Sequence, residues 1–183
     1  MQPIQRLEAW LDEHASKTAY LFSSESLRNI FLDLSDGAFK AFLSRAAKSG
    51  VLLRICKGIY AAKRAMKLDG RLLFYVARML RENNFNYLSL ESVLSEHGVI
   101  SQIPVARIFV MTSGRSGIIS CGKYGSIEFI HTKKTPSDLK DRLIYDPDCG
   151  LWRATVPLAL QDMNQTRRST RDLIDWEVAR EFI

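Results

Sequence analysis

The chain has 183 residues, 46% of them apolar and 25% charged, and carries a formal net charge of +6. That balance is enough for a packed core and excludes a disordered or fibrous chain, while no apolar run approaches the ~20 residues that a membrane-spanning helix needs. Three cysteines at unrelated spacings and three scattered histidines exclude a disulfide framework or a CxxC metal centre, so reduced thiols, a cytoplasmic setting and no cofactor are expected.

The first segment, "PIQRLEAWLDEH" (3–14), mixes charges of both signs through its apolar positions, unlike a signal peptide. Its Ile4, Leu7, Trp10 and Leu11 recur at helical spacing, and Pro3 suits a first turn. Tyr20, Leu21 and Phe22 then read as a short extended piece. Ser23 or Ser24 can cap a second helix holding Leu27, Ile30 and Phe31. A third helix follows, with Ser35 or Asp36 as its cap and Phe39, Phe42, Leu43 and Ala46 as its inner stripe. Gly50 closes it as the C′ residue. "VLLRICKGIYAA" (51–62) alternates and contains a "KG" turn, so it reads as a β-hairpin.

Three short helices followed by a hairpin is the order of a winged helix-turn-helix. The charge agrees with that order, because residues 37–67 contain eight Lys or Arg and no Asp or Glu. Clustered cations without acidic neighbours are what phosphate neutralisation and counterion release reward. The third helix would enter the major groove and present Lys40, Ser44, Arg45 and Lys48, with Arg45 the candidate base reader and Ser35 at its start. The hairpin would bring Arg54 and Lys57 to the phosphates, with Lys63 and Arg64 just beyond. A solvated basic face on an ordinary helical domain is the bland alternative.

Residues 67–85 read as an amphipathic helix with Leu72, Leu73, Val76, Met79 and Leu80 inward, opening a second domain. Ser89 can cap a helix carrying Leu90, Val93 and Leu94, with His97 and Gly98 at its end. Strands follow at 106–112, 117–121 and 126–132, joined by "SGRS" and "GKYG" turns. Residues 137–145 and 154–163 look helical, and 167–183 read as a charged amphipathic helix. The expected class is α+β: a DNA-binding domain over 1–66, then a mixed domain over 67–183 with a small, mainly antiparallel sheet. No P-loop, dinucleotide fingerprint, HExxH or GxSxG is present. "TSGRSG" (112–117) reads as a hairpin turn, and Ser89, Glu91 and His97 as helix-end residues, so no enzyme is expected.

"YLSLESVLSEHGVISQIP" (87–104), a strand ending "MTSGRS", and "YGSIEFIH" together resemble the AbiEi antitoxin family of type IV toxin–antitoxin systems. Its wing pattern is matched by "GVLLRICKGIY" (50–60), and the likeness spans roughly residues 20–165. "ATVPLALQDM" (154–163) matches a later family helix loosely and lacks its Glu-Lys, so no role is carried there. The resemblance implies an autorepressor that binds inverted repeats in its own promoter as double-stranded DNA. It also implies neutralisation of a co-encoded nucleotidyltransferase-like toxin, without need of a stable complex. Rival expectations are a regulator whose second domain senses a ligand or dimerises, and an enzyme acting on nucleic acid or a nucleotide.

Overall fold

The computed structural model describes residues 2–101 and 106–183. It is α+β and divides into two units, Met1–Gly70 and Arg71–Ile183. The first runs α1 (Pro3–His14), β1 (Leu21–Ser23), α2 (Ser24–Arg28), α3 (Asp36–Lys48), β2 (Leu52–Cys56) and β3 (Ile59–Ala62), with a three-stranded antiparallel sheet in the order β1-β3-β2. Ser23 and Ser35 are the N-caps, accepting from Ser26 N and Ala38 N. Ile30 and Phe31, expected inside the second helix, fall in the turn beyond it. One core cluster gathers Leu7 and Leu11 of α1, Leu27, Phe31, the Phe39–Ala46 stripe of α3, Leu52 and Tyr60. The Phe31 and Phe42 rings sit 4.6 Å apart. Arg28 closes the α2–α3 turn by donating to the carbonyls of Phe31 and Leu34, the latter at 2.7 Å.

The second unit departs further from expectation. It runs α4 (Leu72–Leu80), β4 (Asn86–Leu88), α5 (Glu91–Glu96), β5 (Arg107–Thr112), β6 (Gly117–Ser120), β7 (Ser126–His131), β8 (Leu143–Asp146), β9 (Leu151–Ala154), α6 (Val156–Gln165) and α7 (Trp176–Ala179). Its sheet has six strands in the order β6-β7-β5-β4-β9-β8, and β5–β7 and β4–β9 are parallel, so it is mixed rather than small and mainly antiparallel. "TSGRSG" is no hairpin turn: β7 lies between β5 and β6, and the loop crosses its end. His131 Nδ1 and Gly114 O, 2.8 Å apart, hold it there. Residues 137–145 form a 3₁₀ turn (Pro136–Leu139) and then β8, not a helix. Leu139 and Leu143 have helical spacing, but Leu139 is buried at the end of the 3₁₀ turn and Leu143 pairs with Ala154 of β9.

Buried charge accounts for two further differences. Ser89 is no cap; it is fully buried and donates to the equally buried Asp162 at 2.7 Å, which Lys134 Nζ meets at 2.5 Å. Leu90 takes the cap position with a left-handed φ of 56°. Glu91, also fully buried, accepts from Arg168 Nε at 2.5 Å and Thr170 at 2.6 Å, and the same guanidinium meets Glu128 at 2.9 Å. With Arg168 anchored, and Ile174 bridging Ile100, the last segment cannot stay one helix. It becomes a 3₁₀ turn (Ser169–Leu173), then α7, capped by Asp175, then a second 3₁₀ turn (Arg180–Phe182).

Breaking a buried pair leaves an uncompensated charge, which costs several kcal/mol. Arg168→Ala is therefore expected to lower stability by about 3 kcal/mol. Adding Glu91→Gln should recover part of that loss in urea unfolding, because it removes one orphaned charge. Asp146, at the end of β8, gives a pH signature. Burial pushes its carboxyl up, but hydrogen bonds from Cys149 and Arg153 outweigh this and hold it at about 2. The folded value is below the unfolded value of about 4, so its stabilisation is present above pH ~4 and lost towards pH ~2. The stability gap between wild type and Asp146→Asn should be open at pH 6 and closed near pH 2.

Candidate nucleic-acid interface

Helix α3 buries Phe39, Phe42, Leu43 and Ala46, and turns Lys40, Ser44, Arg45 and Lys48 to solvent. Lys40, Ser44 and Lys48 recur every four residues and share one stripe. That stripe forms one wall of a groove of about 930 Å³. The hairpin supplies the other wall through Arg54, Lys57, Gly58 and Tyr60, and the start of α2 closes one end with Ser24, Glu25 and Arg28. Gly58 has a φ of +83° and lets the chain reverse after Lys57. Cys56 pairs with Ile59 directly after Arg54 pairs with Tyr60, so Ile55 is an extra residue in β2. Such a bulge re-aims neighbouring side chains; Ile55 and Cys56 are both buried here, while Arg54 and Lys57 stay exposed.

The structure therefore sorts the predicted residues into groups. Lys40, Ser44, Lys48, Arg54 and Lys57 line one groove. Arg45 is exposed but is not among the groove-lining residues; five residues from Lys40, it lies about 140° away around the helix. Ser35 serves as the α3 cap, 3.3 Å from Ala38 N. Lys63 and Arg64 line a different cleft of about 400 Å³ together with Glu8 and Asp12, and Arg64 meets Asp12 at 3.2 Å. Asn29, Glu25 and Asp36 line the groove and were not anticipated. Asp36 stands one residue before the acid-free window, and Arg28 lies 3.4 Å from it. The sequence signal for these was the capping chemistry of α2 and α3, where first-turn acids are ordinary.

In the second unit, Ser89 and His97 are not brought together. Ser89 is committed to Asp162, whereas His97 Nδ1 lies 2.9 Å from Val93 O and its ring packs edge-on to Phe182. Burial, and then the charge of Asp162, pushes the nearby Tyr87 hydroxyl well above its ordinary value, so it stays neutral. A cleft of about 640 Å³ is lined by His97, Arg142, Arg153, Val156 and Phe182. Among the described residues no cluster of His, Cys, Asp or Glu could hold a metal ion, and no helix is long and apolar enough to cross a membrane.

No protein-family model matches the chain, and no curated protein matches it. Among solved structures it is similar to the RV2827C protein from Mycobacterium tuberculosis, at a TM-score of 0.57 and 16% sequence identity. The match covers 87% of this chain and 59% of that one, so this chain spans little more than half the length of that protein. At that identity the likeness speaks to the fold alone.

Salt titration distinguishes the groups. Each phosphate that a variant no longer neutralises lowers the salt slope of log K by about 0.9. Lys48→Ala with Arg54→Ala should weaken duplex binding and flatten that slope by about 1.8. Arg45→Ala and Arg64→Ala should each change both quantities less, as read by fluorescence anisotropy across a salt series.

Proposed function

We propose that the chain is a winged-helix DNA-binding autorepressor that also acts as the antitoxin of a type IV toxin–antitoxin operon. The observation that carries the DNA-binding part is the groove in which Lys40, Ser44 and Lys48 of one helix face Arg54 and Lys57 of one hairpin. The order α1-β1-α2-α3-β2-β3 supports the winged-helix reading, in which α3 is the recognition helix and β2–β3 the wing. The exposed start of α3 is small, with Gly37, Ala38 and Ala41, and nothing lies within 4 Å of a Cβ built on Gly37. A smooth helix surface can approach base edges closely, while lysines on the stripe reach phosphates.

The antitoxin part rests on the sequence resemblance. Its most specific stretch, 87–104, begins on β4 and α5, where Tyr87 to Leu94 are all buried; Gln102 to Pro104 lie outside the described residues. Those residues shape the second unit's core. A surface that counters a nucleotidyltransferase-like toxin would therefore be formed by side chains around them. A second reading, a winged-helix regulator whose second unit takes a ligand, is favoured by the cleft near His97 and Arg142.

One full-length variant separates the two activities. Lys48→Ala with Arg54→Ala should derepress a reporter fused to the chain's own promoter. Expressed from an unrelated promoter, the same variant should still rescue growth against the product of the neighbouring toxin gene. Loss of neither activity removes the groove from DNA binding; failure of the wild-type chain to rescue favours the ligand-sensing regulator.

A further inference from the structure

The six-stranded sheet has two edges, and they differ in kind. Both are four residues long, but the β6 edge begins at Gly117, and from Ser113 to Ile127 the sequence has cations at Arg115 and Lys123 and no acid. Two copies of that edge would bring like charges together. The β8 edge has a cation before it, Arg142, and an acid at its end, Asp146, with Ile144 and Tyr145 between them 62% and 51% exposed. Edge strands with no covering element are templates for further pairing. Tyr145 also stacks edge-on with Trp152 of β9 at 5.1 Å, and Trp152 is itself 42% exposed.

We propose that β8 is a self-pairing surface and that its occupant is β8 of a second copy of this chain, antiparallel across a two-fold axis through Ile144. The backbone restricts the register. Arg142 O accepts from Thr155 N and Asp146 O from Gly150 N, so the even-numbered positions direct their backbone groups towards β9. By the alternation of antiparallel ladders, Leu143 and Tyr145 direct theirs outward. An outward-bonding residue must face another, so the axis passes through a residue and not between two. With the axis at Ile144, Leu143 of each copy exchanges both backbone bonds with Tyr145 of the other, and Ile144 faces its own symmetry mate as a non-hydrogen-bonded pair. The same register sets Arg142, which within its own chain donates to Gln161, opposite the second copy's Asp146, twice; that carboxylate already accepts from Arg153 at 2.6 Å, so the inter-copy contact adds to an existing ion pair. Moving the axis to Leu143 or Tyr145 loses that charge match. On the other face, the two Tyr145–Trp152 pairs and Leu143 merge into one apolar patch. A strip of four residues a side is small beside the ~1,200 Å² of a standard interface, so the pairing is weak in dilute solution. It stands on edge chemistry alone and does not depend on DNA binding.

The test is register-specific and uses the full chain without DNA. In non-hydrogen-bonded antiparallel pairs the Cα atoms approach to about 4.5 Å, within disulfide range. Ile144→Cys, oxidised with diamide, should give a covalent dimer that dithiothreitol reverses. Tyr145→Cys should give several-fold less, because its mate is displaced along the strand. The native Cys56, Cys121 and Cys149 are buried, so unsubstituted protein should give little background. Sedimentation velocity supplies the second measurement: the weight-average coefficient should rise with concentration for wild type and stay flat for Ile144→Lys, which sets two cations face to face. Equal cross-linking at positions 144 and 145, or none at 144 in a protein with native circular dichroism, overturns the proposal. So does a wild-type coefficient that does not rise.

Discussion

A carboxylate taken out of water has to be met by a partner, and the second unit is built around two that are. Glu91 and Asp162 are both fully buried. Asp162 on α6 accepts from Ser89 beside β4 and from Lys134 beyond β7, so one side chain ties a helix to two parts of the sheet. Glu91 draws in Arg168 and Thr170, which pins the final segment of the chain against α5. Replacing such pairs by apolar side chains can be neutral or stabilising, whereas removing one partner is costly. Their effect is thus on arrangement: each buried acid permits one position of its partner and excludes others.

The first unit solves the same problem with hydrocarbon. Its core is a set of mutually tilted rings, Phe31 between Phe39 and Phe42, with leucines from α1 in the same cluster. Polar groups there serve the backbone at the rim. Arg28 occupies the carbonyls of the α2–α3 turn while its guanidinium lies 5.2 Å from the Phe39 ring, and Arg6 lies over Phe31 at 4.4 Å while meeting Asp33. The Arg28 contacts hold the α2–α3 turn, and α2 closes one end of the groove.

Sequence reasoning went furthest where one residue type has one local meaning. Ser23, Ser35, Gly50 and Gly58 are cap and turn residues whose chemistry acts within four positions, and the N-terminal unit was legible through them. The second unit was less so because its determinants are distant. Ser89 looks like a cap until Asp162, seventy-three residues on, takes its hydroxyl. The segment 167–183 has a helical pattern, but Arg168 answers to Glu91 instead. β4 is three buried residues with no alternation to read, and β8 and β9 are four-residue strands around a tight turn. At the candidate interface the charge count pointed to the helix and hairpin whose residues line the groove. It could not separate Arg45, Lys63 and Arg64 from the groove, because that depends on where a helix flank and a second cleft face.

Lys40, Ser44 and Lys48 share a helix with Phe39, Phe42 and Leu43 but not a duty. The first set is exposed and the second holds the unit together. Substitutions on the outer stripe therefore leave the core untouched, and surface changes of that kind usually alter stability by less than ~0.5 kcal/mol. On the proposed DNA-binding reading, preference for one duplex over another can drift along that stripe without passing through an unfolded ancestor. Copies of this scaffold within one genome could diverge in what they recognise while keeping an interchangeable interior.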